Sequence, residues 1–405
     1  MDMDRVPVYD AVVVGGGPAG STAAYLLAGF GYQVALLERE RYPREKVCAG
    51  CLSQKSIRFL DRVFGLPIPA LKEEGLLDSA GAGYALYIGN NRVLSGDLAE
   101  PFYFTHRGRY DAWLARRAAD AGVETHEGVE VTAVDHASRT VTASDGSRYT
   151  GRVIIGADGI HSGVRRSLPE SIFEHDRWRE NLGWAMELAI PRTEAQALMS
   201  EDGAVRLDAE LATPHLVLDA CRWGYGWVFP NREAIIVGIG GLLQKNQKSL
   251  PERFTEFMNT IGLAAFADRK PAAYPLPLGN FILSPVHEGT VLVGDAGGFA
   301  SPILGEGIFY AHRTAELAAH AINCHLASGA PLGETYTALL NRHLIPELQA
   351  EKTLRDFLYG CLDARVHLPL EAMMRATNGR VIDAIQGNRS FRGFQRDEGL
   401  HTIVW

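Results

Sequence analysis

Residues 15–20 read Gly15-Gly16-Gly17-Pro18-Ala19-Gly20, between two apolar runs, Tyr9-Asp10-Ala11-Val12-Val13-Val14 and Gln33-Val34-Ala35-Leu36-Leu37-Glu38. The runs have the β-branched and aliphatic character of buried strands, and Ser21 to Gly31 between them reads as a helix. Strand, glycine turn, helix and acid-tipped strand form a complete βαβ unit, which is a far stronger signal than the glycine spacing alone. Gly15 allows the tight turn, Gly17 lets a pyrophosphate approach the backbone, and Gly20 lets helix and strand pack closely. Pro18 and Ala19 open a helix whose unpaired N–H groups and partial positive charge suit phosphate. Glu38 is placed to accept hydrogen bonds from ribose hydroxyls, with Arg39 beside it. The expectation is a bound dinucleotide.

Two later segments narrow the choice of dinucleotide. Residues 153–157 form a buried-type strand leading into Asp158-Gly159, and residues 290–293 form another leading into Gly294-Asp295. The second is followed by Pro302 and by Gly305-Glu306-Gly307-Ile308, a glycine-punctuated helix start. In this order, the three segments resemble the FAD-dependent hydroxylases and reductases of the p-hydroxybenzoate-hydroxylase-like superfamily. FAD is longer than one βαβ unit can hold, so later segments must catch its ribityl chain and ring. The resemblance implies that Asp295 bonds the ribityl hydroxyls. It also implies that the helix starting near Gly305, Gly307 and Ile308 faces the pyrimidine side of the flavin, where negative charge grows on reduction. Asp158, Gly159, Gly294, Pro302 and Val131 complete the cofactor set implied for these segments.

Length and composition agree. A chain of 405 residues is expected to form two joined lobes. Its apolar fraction of 46% and charged fraction of 22% are ordinary for a globular protein. The formal charge of −8 argues against a nucleic-acid partner. The acidic start Met1-Asp2-Met3-Asp4 does not read as a secretory signal, and no run reaches the roughly 18 apolar residues of a spanning helix. Five scattered cysteines suit a reducing cytosol. The expected location is cytoplasmic, with a peripheral place at the inner face of a membrane left open.

The expected fold is α/β: a Rossmann-type, glutathione-reductase-like FAD lobe, an inserted antiparallel sheet covering the flavin, and a helical C-terminal cap. The discontinuous FAD lobe is assigned to residues 1–80, 101–175 and 285–330. The substrate sheet takes 81–100 and 176–284, and the helical region 331–405. Within these, Asn90-Asn91 reads as a hairpin turn, Tyr110 to Ala121 as a helix, and Val129 to Val131 as a strand of the nucleotide lobe. Trp184 to Ile190, Leu216 to Ala220, Tyr225 to Phe229 and Ala234 to Ile239 read as strands, and Pro251 to Phe266 as one amphipathic helix.

Four stretches narrow the resemblance to the geranylgeranyl reductase family. Arg44-Glu45-Lys46-Val47-Cys48-Ala49-Gly50 resembles a loop that runs alongside the flavin there, although the glycine usual after the cysteine is Ala49, with Gly50 next. Arg107, before Tyr110-Asp111, matches an arginine that helps hold the cofactor. Tyr225-Gly226-Trp227-Val228-Phe229-Pro230 matches the YxWxFP signature of the substrate sheet, and Gly387 to Phe391 a motif of the helical tail. The resemblance implies hydride transfer from reduced flavin to a carbon–carbon double bond of a polyprenyl chain. Tyr225, Trp227 and Phe229 share one strand face and are expected to line the cavity, where aromatic faces stabilise developing positive charge. The alternative is an FAD-dependent monooxygenase, or the related halogenase, acting on an aromatic or other small substrate. The third reading is a non-enzymatic FAD-binding or electron-relay protein. Many hydroxylases have a histidine after the GD pair, where this chain has Ala296-Gly297-Gly298.

Arg44, Lys46, Cys48 and Ala49 are assigned to flavin or NADPH-phosphate contact. Cys48 reads first as a flavin-contacting residue; a thiol that protonates the substrate is the catalytic alternative. Cys48 and Cys51 lack the thioredoxin-like setting of a redox pair, and no metal-ligand spacing exists. His106, His161 and His312 read as satisfied or solvated histidines. With no second nucleotide fingerprint, NAD(P)H is expected as a transient visitor, and a ferredoxin-type donor would serve equally. Val366 to Met374 is apolar enough to line a lipid entrance, though no basic amphipathic face accompanies it in sequence. Oligomeric state is left open.

Overall fold

The computed structural model describes residues 8–247, 249–377 and 379–393. The acidic start at 1–4 and the last part of the C-terminal region, 394–405, lie outside the described residues. The chain divides into two units. The first comprises 1–46, 107–179 and 279–348; the second comprises 47–106, 180–278 and 349–405.

The first unit is built on a mainly parallel sheet. Its path runs Glu124–Glu127, Val34–Glu38, Val8–Val14, Arg148–Gly156, Thr290–Leu292 and Val286–His287. Val8–Val14 is central, pairing in parallel with Val34–Glu38 on one side and Arg148–Gly156 on the other. Residues 11–14 and 34–38 are buried, which explains why they read as continuous apolar runs instead of alternating ones. Helix Pro18–Gly29 makes the crossover. Helix Ile308–Ser328 is buried along most of its first four turns.

The expected strand near 129–131 is displaced. Val131–Asp135 pairs antiparallel with Thr140–Ala143, while Glu124–Glu127 takes the parallel edge beside Val34–Glu38. The segment Glu124-Thr125-His126-Glu127 has little β-propensity; an edge position is set by backbone pairing, which overrides it.

The second unit holds an eight-stranded sheet in the order Ala272–Pro277, Leu182–Pro191, Ala234–Leu242, Gly224–Pro230, His215–Leu218, Ser79–Ile88, Asn91–Phe104 and Cys51–Leu52. All joins are antiparallel except that of His215–Leu218 with Ser79–Ile88. Side-chain alternation sorts two cores. Ala85, Tyr87, Val217, Val228, Val237 and Ile239 pack with Phe254, Phe257 and Met258 of helix Leu250–Thr260. Leu86, Ile88 and Leu218 point the other way and pack with Leu358, Tyr359, Leu362, Leu370 and Met374 of the C-terminal helices.

Two expectations change. Residues 47–80 and 349–393 belong to the second unit, because their strands and helices pack on its sheet; 331–348 belongs to the first. The helix expected over 251–266 stops at Thr260, where Gly262 turns at φ +76° against Ser200, and a separate turn of 3-10 helix covers Ala264–Phe266.

Candidate cofactor and substrate sites

In the first unit the glycine turn and the two glycine–aspartate segments meet. Gly15 adopts φ +99°, and a side chain there would strike the Ala157 carbonyl and Asp158 Cα, so the first turn lies directly on the Asp158-Gly159 segment. A side chain at Gly20 would in turn strike the Gly15 carbonyl. Gly294 sits against helix Pro18–Gly29, where an added Cβ would lie 3.0 Å from Ala19 Cβ. Its N–H donates to Thr314 Oγ1 at 2.9 Å. Asp295 lies beside Gly307, the residue that opens helix Ile308–Ser328; an added Cβ there would sit 3.3 Å from the Asp295 carboxylate. Pro302 is buried and Gly305 turns at φ +65° in the same loop.

The carboxylates are set by specific donors. Glu38 is buried; its Oε2 accepts from Gly16 N–H at 2.8 Å and its Oε1 from Glu40 N–H at 3.0 Å. It therefore holds the glycine turn, and each oxygen keeps a lone pair for a ribose hydroxyl. Val131 is half-buried just beyond Val129, whose N–H donates to Glu38 O at 2.9 Å. Arg39 is exposed, 3.6 Å from Glu40.

Arg44 and Arg107 converge on one acid that sequence reasoning did not nominate. Asp111 is fully buried; Arg107 grips it with two hydrogen bonds of 2.9 and 3.0 Å, and Arg44 Nη2 lies 3.0 Å from its Oδ2. The spacing of Arg107 and Asp111, four apart on helix Arg107–Asp120, was a signal available in the sequence. Tyr42 donates its hydroxyl to the Gly16 carbonyl, and burial together with the Glu38 charge pushes its pKa up.

Arg165 is the second unnominated residue. It is buried, donates to Ala296 O at 3.1 Å and Ile160 O at 2.7 Å, and stacks 3.8 Å from the Trp178 ring centroid. It thereby ties the segment after Asp158 to the segment after Asp295. Burial lowers its pKa to about 10, still charged at neutrality. Burial raises the Asp295 carboxyl, while Lys46, Arg107 and Arg165 act to lower it. His312 is a satisfied core histidine: Nδ1 meets Thr22 Oγ1 and Nε2 meets Tyr110 OH, each at 2.7 Å. Burial lowers its pKa to about 3.

These residues fit FAD. Helix Pro18–Gly29 has no side-chain N-cap and no acid in its first turn, so its N-terminal N–H groups face no competing anion from those positions. An added Cβ at Gly17 would meet just the Arg44 side chain, at 3.6 Å. Asp158 Oδ2 accepts from Gly163 and Val164 N–H at 2.7 and 3.2 Å, whereas its buried Oδ1 has no protein partner, a vacant acceptor of the kind a cofactor hydroxyl would use.

In the second unit, Tyr225, Trp227 and Phe229 share one face of Gly224–Pro230, with ring centroids 5.6 and 6.4 Å apart. Tyr225 packs at the edge of the C-terminal helix core, and Phe229 against Phe104 at 5.5 Å. Between them Trp227 lies over Gly238 and Gly240 of the next strand, its buried Nε1–H without a protein partner. Cys48 is half-buried and its Sγ accepts from Gly50 N–H at 3.4 Å. Gly50 takes the left-handed turn, φ +70°, pressed against Thr105, so Ala49 needs no glycine conformation.

A family model described as "FAD binding domain" matches residues 8–200. The chain is 31% identical over 329 residues to a geranylgeranyl diphosphate reductase of Rhodobacter capsulatus, covering 80% of this chain and 77% of that protein. It is 26% identical over 333 residues to a menaquinone reductase of Mycobacterium tuberculosis, covering 78% and 76%. Among solved structures, a geranylgeranyl bacteriochlorophyll reductase-like protein of Thermoplasma acidophilum superposes with a TM-score of 0.71 at 20% identity, over 92% of this chain and 96% of that one. PqsL of Pseudomonas aeruginosa, described as a probable FAD-dependent monooxygenase, gives 0.66 at 19%, over 91% and 99%. At these identities the structural likenesses show a shared fold.

Proposed function

The chain belongs to the geranylgeranyl reductase family of FAD-dependent oxidoreductases, and we propose that its reaction is reduction of carbon–carbon double bonds in a polyprenyl chain. The observation that carries this reading is the aromatic strip of Tyr225, Trp227 and Phe229 on a sheet face floored at its centre by two glycines. A prenyl chain is apolar, methyl-branched and long, and such a strip offers π-faces instead of directed hydrogen bonds. Those faces stabilise the positive charge that builds on an alkene carbon as it is protonated, by roughly 0.5–2 kcal/mol per ring.

When bound and reduced, FAD supplies the hydride. In the first unit, Gly15, Gly17, Pro18, Ala19 and Gly20 would hold its pyrophosphate, Glu38 a ribose, and Asp158 and Asp295 the ribityl hydroxyls. Arg44 and Arg107, locked on Asp111, keep positive charge beside the phosphate turn; Lys46 and Arg165 do so near Asp295. Gly294, Pro302, Gly305, Gly307 and Ile308 shape the loop and helix start that would face the ring. Cys48 is the thiol available to give the second carbon its proton. Electrons come from NAD(P)H visiting transiently, or from a ferredoxin-type donor. Peripheral contact with a membrane belongs to the same reading, since long prenyl chains reside in lipid.

The test is anaerobic. Chemically reduced enzyme mixed with a geranylgeranyl lipid under argon should yield a product heavier by two hydrogens per bond, read by mass spectrometry. A monooxygenase would leave the lipid unchanged without oxygen. Cys48→Ala should retain flavin and lose turnover if the thiol is the proton source; unchanged turnover would confine Cys48 to the loop.

A further inference from the structure

Among the described residues, seven large apolar side chains are exposed, and three of them, Phe357, Val366 and Leu368, fall within twelve residues. Leu368 is 78% exposed, the most of any. Helix Ile345–Asp363 carries Phe357, Gly360 and, one turn beyond, Ala364 along one face, and nothing lies within 4 Å of the place a Gly360 side chain would take. Val366 N–H then folds back to Cys361 O at 2.9 Å, and helix His367–Ala376 begins. The result is a helix–turn–helix tip that exposes Ala364, Val366, Leu368 and Pro369 beside the charged Asp363 and Arg365, while Leu362, Leu370 and Met374 anchor it to the core.

Charge around this tip is arranged by other segments. Arg222 binds Asp363 through two hydrogen bonds of 2.9 and 2.8 Å, and Trp223 Nε1 approaches the same carboxylate at 3.4 Å. Lys245 Nζ lies 5.1 Å from the Trp223 ring. His367 and Arg253 both act on the carboxylate of Asp219. Arg365 is exposed at the turn itself. Around the tip, Arg222, Lys245, Arg253 and Arg365 stand against Asp219 and Asp363, while Asp356 and Glu371 on the two helices are each matched by an arginine, Arg355 and Arg375, so cations remain in excess there in a chain of formal charge −8. An exposed apolar tip ringed by excess positive charge suits a surface that is oily beneath and anionic at its head groups.

We infer that the turn Asp363–Leu368 is a membrane-docking tip, inserting Val366 and Leu368 into an anionic bilayer while Arg365, Lys245 and Arg222 meet the phosphates. The holoenzyme should co-sediment with vesicles of equal parts phosphatidylcholine and phosphatidylglycerol, less with phosphatidylcholine alone, and less as salt rises. Val366→Asp/Leu368→Asp should weaken binding about tenfold or more, and Arg365→Gln roughly fivefold. Leu198→Asp, at an exposed apolar residue elsewhere, should leave it unchanged. Flavin absorbance and melting temperature check folding; should the double variant misfold, Arg365→Gln and Leu368→Ser carry the comparison. Wild-type enzyme left in the supernatant, or variants that sediment equally well, would overturn the inference. So would a double variant that splits a dimer on light scattering with vesicle binding intact, since the occupant would then be a second copy. The measurement needs neither substrate nor turnover, so enzyme that binds vesicles yet reduces no prenyl chain contradicts the functional reading alone.

Discussion

Asp111 is the residue on which the charged side of the candidate cofactor site turns. It is fully buried and shared by two arginines, so removing its charge takes from both the carboxylate they grip most closely. Breaking a buried pair in this way costs about 3–5 kcal/mol. Asp111→Asn should therefore lower stability by that order and weaken FAD binding, measured by urea unfolding and by flavin titration; a variant as stable as wild type would remove Asp111 from the account. His312 supplies a pH prediction. Its folded pKa, about 3, lies below its ordinary value near 6.5, so its contribution is present above pH 6.5 and lost as pH falls toward 3. The slope is up to about 1.4 kcal/mol per pH unit. Apoprotein of His312→Gln should show a flatter acid limb in urea unfolding than wild type; parallel limbs would contradict a buried neutral imidazole. Arg44, Arg107 and Asp295 could be nominated from the sequence because they sit in patterned stretches. Asp111 and Arg165 were not nominated, since their roles depend on which backbone and which cation the fold brings to them.

The βαβ unit was legible as an element because each of its parts has a local cause: continuous apolar strands, glycines where the backbone must turn or touch, and an acid at the strand end. Gly20 tests that logic. A side chain there collides with the Gly15 carbonyl, which cannot move without pulling the turn off Ala157. Gly20→Val should abolish flavin retention on gel filtration, while a variant that keeps its yellow colour would show that the turn has slack. Glu124–Glu127 shows the opposite case. Nothing in Glu124-Thr125-His126-Glu127 demands a strand; it becomes one because Val34–Glu38 offers a parallel edge. The same holds for residues 47–80, read with the cofactor lobe from chain order but packed on the second sheet, whose Asn91–Phe104 strand pairs with Cys51–Leu52.

At the scale of the whole molecule, a chain of 405 residues returns to its first unit twice, each time with a strand that joins the same sheet and ends near an aspartate. Arg148–Gly156 delivers Asp158 and Thr290–Leu292 delivers Asp295 to the sheet that carries the Gly15 turn, so sheet order alone explains why Gly15 and Asp295, nearly three hundred positions apart, lie in one unit. The aromatic strip belongs to the second unit, and its assignment to a prenyl substrate rests on chemistry and family. Charge at this scale was the least legible feature: the sequence shows no basic face, yet Arg222, Lys245 and Arg253 gather round Asp219 and Asp363 from separate elements. The central claim is that a glycine turn and two distant glycine–aspartate segments build one FAD site. Equilibrium titration of apoprotein with FAD, followed by flavin fluorescence, tests it directly in Gly15→Val, Asp158→Ala and Asp295→Ala. One FAD per chain for wild type, with each variant weakened about tenfold or more, is the predicted result; an Asp295→Ala protein that binds FAD as tightly as wild type would contradict it.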